Sequence, residues 1–129
     1  MTVRFLAVEL IETMQRQTIN DHGGSHGLRD RNLLESAAAR PENLECYRPE
    51  ASIGELAATL AWGLVKNHAF IDGNKRIGLG CLINFLKLNS YKLTCTQAEV
   101  TAMILSAAAG EITEEQWTIW VMRMVAPIG

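Results

Sequence analysis

The stretch His68-Ala69-Phe70-Ile71-Asp72-Gly73-Asn74-Lys75-Arg76 gathers an imidazole, a carboxylate, a carboxamide and two cations into nine consecutive positions. Gly73-Asn74 offers a permissive backbone position and a possible N-cap. A helix is therefore expected to start near Lys75, with its unpaired N–H groups pointing back into the stretch. Lys75 and Arg76 then fall in its first turn. That is the wrong end for cations, because the helix dipole already carries partial positive charge there and each cation costs ~0.3–1 kcal/mol. An anion should compensate. Asp72 supplies one charge, but two cations and a row of oriented amides suit a polyphosphate better, and a nucleotide is the natural candidate. Gly73, Asn74, Lys75 and Arg76 are thus the candidate phosphate cradle. Asp72 can hold Mg²⁺, which is usually bound by one or two carboxylates together with phosphate oxygens and water. His68, at the end of the preceding helix, can take a proton from an attacking hydroxyl at neutral pH. Phe70 reads as the buried peg that fixes the loop.

Two core helices must position these groups. Upstream, Ser52-x-x-Glu55 is a capping box followed by the stripe Leu56, Leu60, Ala61 and Leu64, so a helix over 55–67 delivers His68. Downstream, Ile77, Leu79, Cys81, Leu82, Ile83, Phe85, Leu86 and Leu88 leave almost no polar face. The helix that starts near Lys75 should therefore be surrounded by the others. Gly78 and Gly80 each cost about 1 kcal/mol relative to alanine, which points to close helix packing at those positions.

Four further helices are expected around this pair. Leu6, Leu10, Ile11 and Met14 mark one over 6–16, and Asn20 to Gly27 has loop composition, including His22 and His26, which read as loop histidines rather than metal ligands. Asp30 caps a helix over 31–40 that Pro41 should end. The segment 41–51 then reads as a loop, either a plain surface connection or a flap that docks a target. After an extended connector from Tyr91 to Cys95, Thr96-x-x-Glu99 and Thr113-x-x-Gln116 open the last two helices, the first closed by Gly110. Trp117, Trp120, Val121 and Met124 form a core stripe on the last. The expected fold is all-α, a compact bundle of about six helices forming a single domain over 1–129.

Composition narrows the function. Hydrophobic residues make up 48% and the formal net charge is −2, with a sequence pI near 5.9. A non-specific nucleic-acid binder usually carries a basic domain, so direct nucleic-acid binding is not expected. Cys46, Cys81 and Cys95 form no paired motif and read as reduced thiols of a cytoplasmic protein. Glu9 and Glu12 interrupt the only apolar run near the N-terminus, so neither a signal peptide nor a membrane span is expected.

The pattern His-x-Phe-x-Asp-Gly-Asn-Lys-Arg resembles the signature of the Fic/Doc family, and Lys75 resembles its Doc, or death-on-curing, branch, since typical nucleotide-transferring members have glycine there. Gly23-Gly24, Gly27-Leu28-Arg29-Asp30, Leu33-Leu34-Glu35-Ser36-Ala37 and Arg40-Pro41 resemble the family's upstream segment, and Phe85-Leu86 and Asn89 its downstream one. The resemblance implies a toxin of a toxin–antitoxin pair. Such a toxin transfers the γ-phosphate of ATP, with Mg²⁺, to a hydroxyl of a translation elongation factor such as elongation factor Tu, and so arrests translation. His68, Asp72, Lys75 and Arg76 would be its catalytic residues, and a Phd-like antitoxin would inhibit it in trans. The Ser/Thr-x-x-x-Glu-Gly/Asn pattern with which nucleotidylating relatives restrain themselves is not found in the sequence. Gly73, where some Doc-like members have alanine, departs towards the nucleotidylating pattern. The alternatives are an adenylyltransferase and a catalytically idle binding module.

Overall fold

The computed structural model describes residues 2–129. Six helices follow in order: α1 (Val8–His22), α2 (Arg31–Tyr47), α3 (Ile53–Asn67), α4 (Asn74–Leu88), α5 (Gln97–Ala108) and α6 (Glu114–Met124). Two short strands, β1 (Tyr91–Leu93) and β2 (Val125–Pro127), pair antiparallel with Lys92 opposite Ala126. The all-α expectation holds, with this ribbon as the addition. Residues Tyr91 to Leu93 are the strand half of the expected connector, and the C-terminal segment folds back to give them a partner.

The two central helices behave as their sequences require. On α3 every residue from Leu56 to Ala61 is buried, and α4 buries Ile77, Gly78, Cys81, Leu82, Phe85 and Leu86. They meet where Gly78 stands, because a Cβ there would lie 2.4 Å from Val65 Cγ2 and 3.4 Å from the Ala61 carbonyl oxygen. Gly80 is different. Its missing Cβ would make an ordinary 3.5 Å contact with Met14 Cε, so close packing explains only the first of the two glycines. Capping boxes at Ser52–Glu55, Thr96–Glu99 and Thr113–Gln116 start α3, α5 and α6. Trp117 and Val121 are fully buried, and the Trp117 indole N–H donates to the Ala58 carbonyl at 2.9 Å, so the aromatic stripe of α6 is core.

Three expectations need correction. First, α1 continues to His22, and its buried stripe is Ile11, Gln15 and Ile19, while Leu10 is 47% exposed. The polar Gln15 in the middle of the stripe hides it from a count of apolar residues. Second, Pro41 does not end α2, which runs to Tyr47 with Pro41 buried inside it. An internal proline costs about 3 kcal/mol. Packing on both sides outweighs that cost here: the Arg40 guanidinium donates to Thr59 Oγ1 at 3.0 Å and pairs with Glu114, and α2 lies so close to α3 that a Cβ on Gly63 would be 2.5 Å from Arg40 Cδ. Third, the loop expected over 41–51, whether surface connection or flap, is therefore mostly helix, and what remains is a tight turn in which Ala51 N–H donates to Arg48 O at 3.0 Å and Arg48 pairs with Glu55. Among the described residues no helix is long and apolar enough to cross a membrane.

Candidate active site

The link between α3 and α4 is short, so the end of one helix and the start of the other face the same space. α3 ends at Asn67, and His68 takes left-handed dihedrals, φ 55° and ψ 48°, which turn the chain away from the helix. Ala69 and Phe70 go straight back into the core, with Phe70 2% exposed, as a peg requires. Gly73 then takes φ 78° and caps α4, a conformation that a side chain would strain, and this accounts for glycine at that position.

Asn74 is not the N-cap. It is the first residue of the helix and is 4% exposed, and both ends of its carboxamide are engaged: Phe70 N–H donates to Oδ1 at 3.0 Å, and Nδ2 donates to Phe70 O at 2.9 Å. Its side chain thus closes the loop upon itself, leaving only its backbone to face a phosphate.

The first intrahelical bond of α4 runs from Ile77 N–H to Gly73 O at 2.9 Å. Among the described residues no acceptor meets the N–H groups of Asn74, Lys75 or Arg76, which the helix geometry leaves open. The first turn holds no acidic residue, and neither Lys75 nor Arg76 belongs to an ion pair among the described residues. Three open amides and two unneutralised cations thus converge where anions are favoured.

They line a cleft of about 690 Å³ that also takes in His68, Asp72 and Gly73, walled by the end of α1 and by α5. A cavity of that size is in the range of small-molecule sites. Beyond the cradle, Leu79 and Ile83 of α4 with Ile104 and Leu105 of α5 form an apolar part of its wall, beside the polar Gln97 and Thr101. The cleft therefore brings together all the site residues expected from the sequence except Phe70, which supports them from behind.

Asp72 is held by backbone. Gly73 N–H donates to its Oδ1 at 2.9 Å and Ser25 N–H to its Oδ2 at 3.2 Å, while Gln15 Nε2 donates to its main-chain oxygen at 3.2 Å. Each carboxylate oxygen keeps lone pairs beyond those bonds, so the group fits a hard divalent cation such as Mg²⁺. Among the described residues no three His, Cys, Asp or Glu side chains gather as a metal cage, so such a cation would complete its shell with phosphate and water oxygens. His22 lines the cleft edge with its Nδ1 3.2 Å from Thr18 O, and takes no part in a cluster.

In the sequence the segment from Gly23 to Asp30 read as a loop ending in the Asp30 N-cap, with no contact to the link assigned to it. Leu28 forms an antiparallel bridge with Phe70, Arg29 and Asp30 N–H groups donate to Ala69 O at 2.7 and 3.0 Å, and Ile71 N–H donates to Gly27 O at 3.1 Å. Gly24 and Gly27 permit the approach: a Cβ on the first would stand 2.6 Å from Asp72 Oδ2 and on the second 2.9 Å from Ile71 Cδ1, and both have positive φ. The loop beside the site is this strap. Gly24 and Gly27 were the signal, since each stands where an added side chain would collide with the link.

Comparison with known proteins bears on the same residues. The model of the "Fic/DOC family" matches residues 5–86, which span α1 to α4 and contain the whole link. "Toxin Doc" of Mycolicibacterium smegmatis is 38% identical over 73 residues, covering 55% of this chain and 55% of that protein. The chain thus spans about half the length of that relative. "Protein kinase doc" of Escherichia phage P1 is 26% identical over 111 residues, covering 86% of this chain and 87% of that one. With α1 to α3, most of α4, the link and the strap inside the matched region, the chain belongs to the Fic/Doc family.

Proposed function

We propose that this chain is a Doc-like toxin that transfers the γ-phosphoryl group of ATP to a hydroxyl of a protein target. The observation that carries the reading is the pairing of an anion cradle, Lys75 and Arg76 with the open amides of α4, with the His68 imidazole, unengaged among the described residues, in one cleft. The relatives named for toxin and kinase activity support it. His68 takes the proton of the target hydroxyl as its oxygen attacks the γ-phosphorus. The bond from that phosphorus to the bridging oxygen breaks, and ADP leaves with the electron pair. Lys75, Arg76 and the amides of Asn74 to Arg76 hold the charge spread over the phosphate oxygens. Asp72 would hold Mg²⁺, whose contribution when bound is to neutralise phosphate charge. Phe70 and Asn74 keep the loop in register.

Lys75 stands where nucleotide-transferring members of the family have glycine, and this supports transfer of the γ-phosphate rather than the α-phosphate. Gly73 takes φ 78°, a left-handed conformation that favours glycine, so its presence has a backbone reason whichever phosphate is transferred. The target fits a component of the translation machinery such as elongation factor Tu. A Phd-like antitoxin is the partner, an acidic segment of which would lie over Lys75 and Arg76.

The test is incubation of the purified chain with host lysate, Mg²⁺ and ATP labelled distinguishably at the α- and γ-phosphates. Label from γ alone on a protein band is expected. Label from α would make the chain an adenylyltransferase. His68→Ala should abolish transfer while leaving ATP bound, whereas Arg76→Ala should also weaken binding; equal transfer by wild type and His68→Ala would end the mechanism.

A further inference from the structure

The left-handed turn at His68 has an unusual support. A helix that closes on a left-handed residue usually has glycine or asparagine there, and a backbone N–H returns to satisfy the last carbonyls. α1 ends on a glycine at positive φ, Gly23 at 83°, with its N–H on Ile19 O at 2.8 Å. α3 has histidine in the left-handed position and, among the described residues, no such backbone cap. Its last carbonyls turn instead to a side chain. Arg29 Nε donates to His68 O at 2.8 Å and Nη2 donates to Asn67 O at 3.1 Å.

Arg29 is placed for this by the strap, since its own N–H donates to Ala69 O, one residue beyond His68. It forms no ion pair with a carboxylate among the described residues and does not line the cleft. Its fork is therefore directed at the backbone that carries the imidazole, from outside the cleft. Asn67 is tied a second time, by its Nδ2 on Leu33 O at 2.9 Å.

We propose that Arg29 is a positioning residue for the transfer: its guanidinium, spanning the Asn67 and His68 carbonyls, holds His68 in the left-handed conformation that keeps the imidazole in the cleft. The other ties fall on the neighbours, Asn67 on one side and Ala69 and Phe70 on the other, so without the fork the backbone of His68 itself loses its partner, and the preference of histidine for negative φ can shift the ring from its place. Arginine suits the task because two donors in one rigid plane match two successive carbonyls, which an ammonium cannot span. The cradle lies on α4 and does not depend on this contact, so turnover and nucleotide binding should separate.

The kinetic limb rests on the transfer reading; the conformational limb does not. Four forms of the chain are compared: wild type, Arg29→Ala, Arg29→Lys and Arg40→Ala, the last removing an arginine that joins α2 to α3 and α6 away from the cleft. Residual dipolar couplings report φ of His68, titration with a non-hydrolysable ATP analogue reports binding, and γ-label transfer at saturating ATP reports turnover. Arg29→Ala should lose the positive φ and retain analogue affinity within about twofold. Its turnover should fall about 10- to 100-fold, the scale of a catalytic group misplaced by about 1 Å. Arg29→Lys should recover only part, and Arg40→Ala should keep both φ and turnover at whatever stability it retains. If Arg29→Ala does not fold, Arg29→Lys carries the comparison, with a smaller loss on both readouts. An unchanged positive φ overturns the inference, as does wild-type turnover in the Arg29 variants or an equal loss in Arg40→Ala. If the wild type transfers no label, the transfer reading fails, and the couplings at His68 still decide whether Arg29 holds it.

Discussion

Replacing Asn74 with alanine separates two roles that a residue in a phosphate-binding motif can have. If its side chain served the nucleotide, the substitution would weaken ATP binding and spare the fold. The structure places the carboxamide elsewhere, between Phe70 N–H at 3.0 Å and Phe70 O at 2.9 Å, in a buried position. Alanine leaves both backbone groups without a partner, and each unsatisfied buried group costs ~1–3 kcal/mol. The space vacated by three heavy atoms can admit a water that recovers part of this, which sets the expectation at ~2–4 kcal/mol. That is a large share of the 5–15 kcal/mol typical of a domain. At roughly 3–5 °C per kcal/mol for a chain of this length, the melting temperature should drop by roughly 6–20 °C. Urea unfolding followed by circular dichroism measures the first figure directly, with the midpoint lower and the slope unchanged. Asn74→Asp should lose nearly as much, because a carboxylate oxygen would then face the Phe70 carbonyl. An Asn74→Ala protein that unfolds at the wild-type urea concentration but binds ATP poorly would refute the reasoning and return the carboxamide to the nucleotide.

Other perturbations probe the frame. Gly78→Ala gains about 1 kcal/mol of helix propensity but forces a methyl to within 2.4 Å of Val65 Cγ2, and overpacking costs ~1–3 kcal/mol. A net loss of roughly 1 kcal/mol is expected, and adding Val65→Ala should cost less in that background than in the wild type, read as coupling in a double-mutant cycle. Burial pushes the Cys81 thiol up to about 12, whereas Cys46 is exposed. A thiol reagent at pH 8 should therefore modify Cys46 in the folded protein and reach Cys81 only on unfolding, as mass spectrometry of peptides would show. At Glu55, burial alone would raise the pKa, but the Ser52 N–H and the Arg48 guanidinium outweigh it and hold the carboxyl below its ordinary value of 4.5. A depressed carboxylate stabilises the fold above its unfolded pKa and loses that contribution as pH falls through the folded one. Stability should thus decline on acidification below about pH 4.5, and Glu55→Gln should flatten that part of the profile in pH-dependent urea melts.

Much of the architecture was legible because it depends on local chemistry. The three capping boxes start helices where Ser52, Thr96 and Thr113 stand, and each depends only on residues three apart. The continuous apolar character of the segment after Lys75 identified the central helix, since it needs neighbours on nearly every side. Where reading failed, long-range contacts decided. Pro41 is a helix breaker in isolation and is tolerated because Arg40 and Gly63 dock α2 against its neighbours over that very turn. Tyr91 to Leu93 become a strand only because residues 125–127 return beside them.

The candidate site divides in the same way. Its chemical content was a property of the sequence alone: His68, Asp72, Gly73, Lys75 and Arg76 are close in the chain, and a short link between two helices cannot separate them. Tertiary structure decided how they are held. Gln15 and Asp72 are distant in sequence, as are Arg29 and His68, and their bonds exist only once α1 and the strap lie against the link. Asn74 shows the difference within one residue. Its presence in the motif was plain, but whether its carboxamide would face a phosphate or Phe70 depended on which side of the loop the core buried, and burial leaves a polar side chain no alternative to the partners it is buried with.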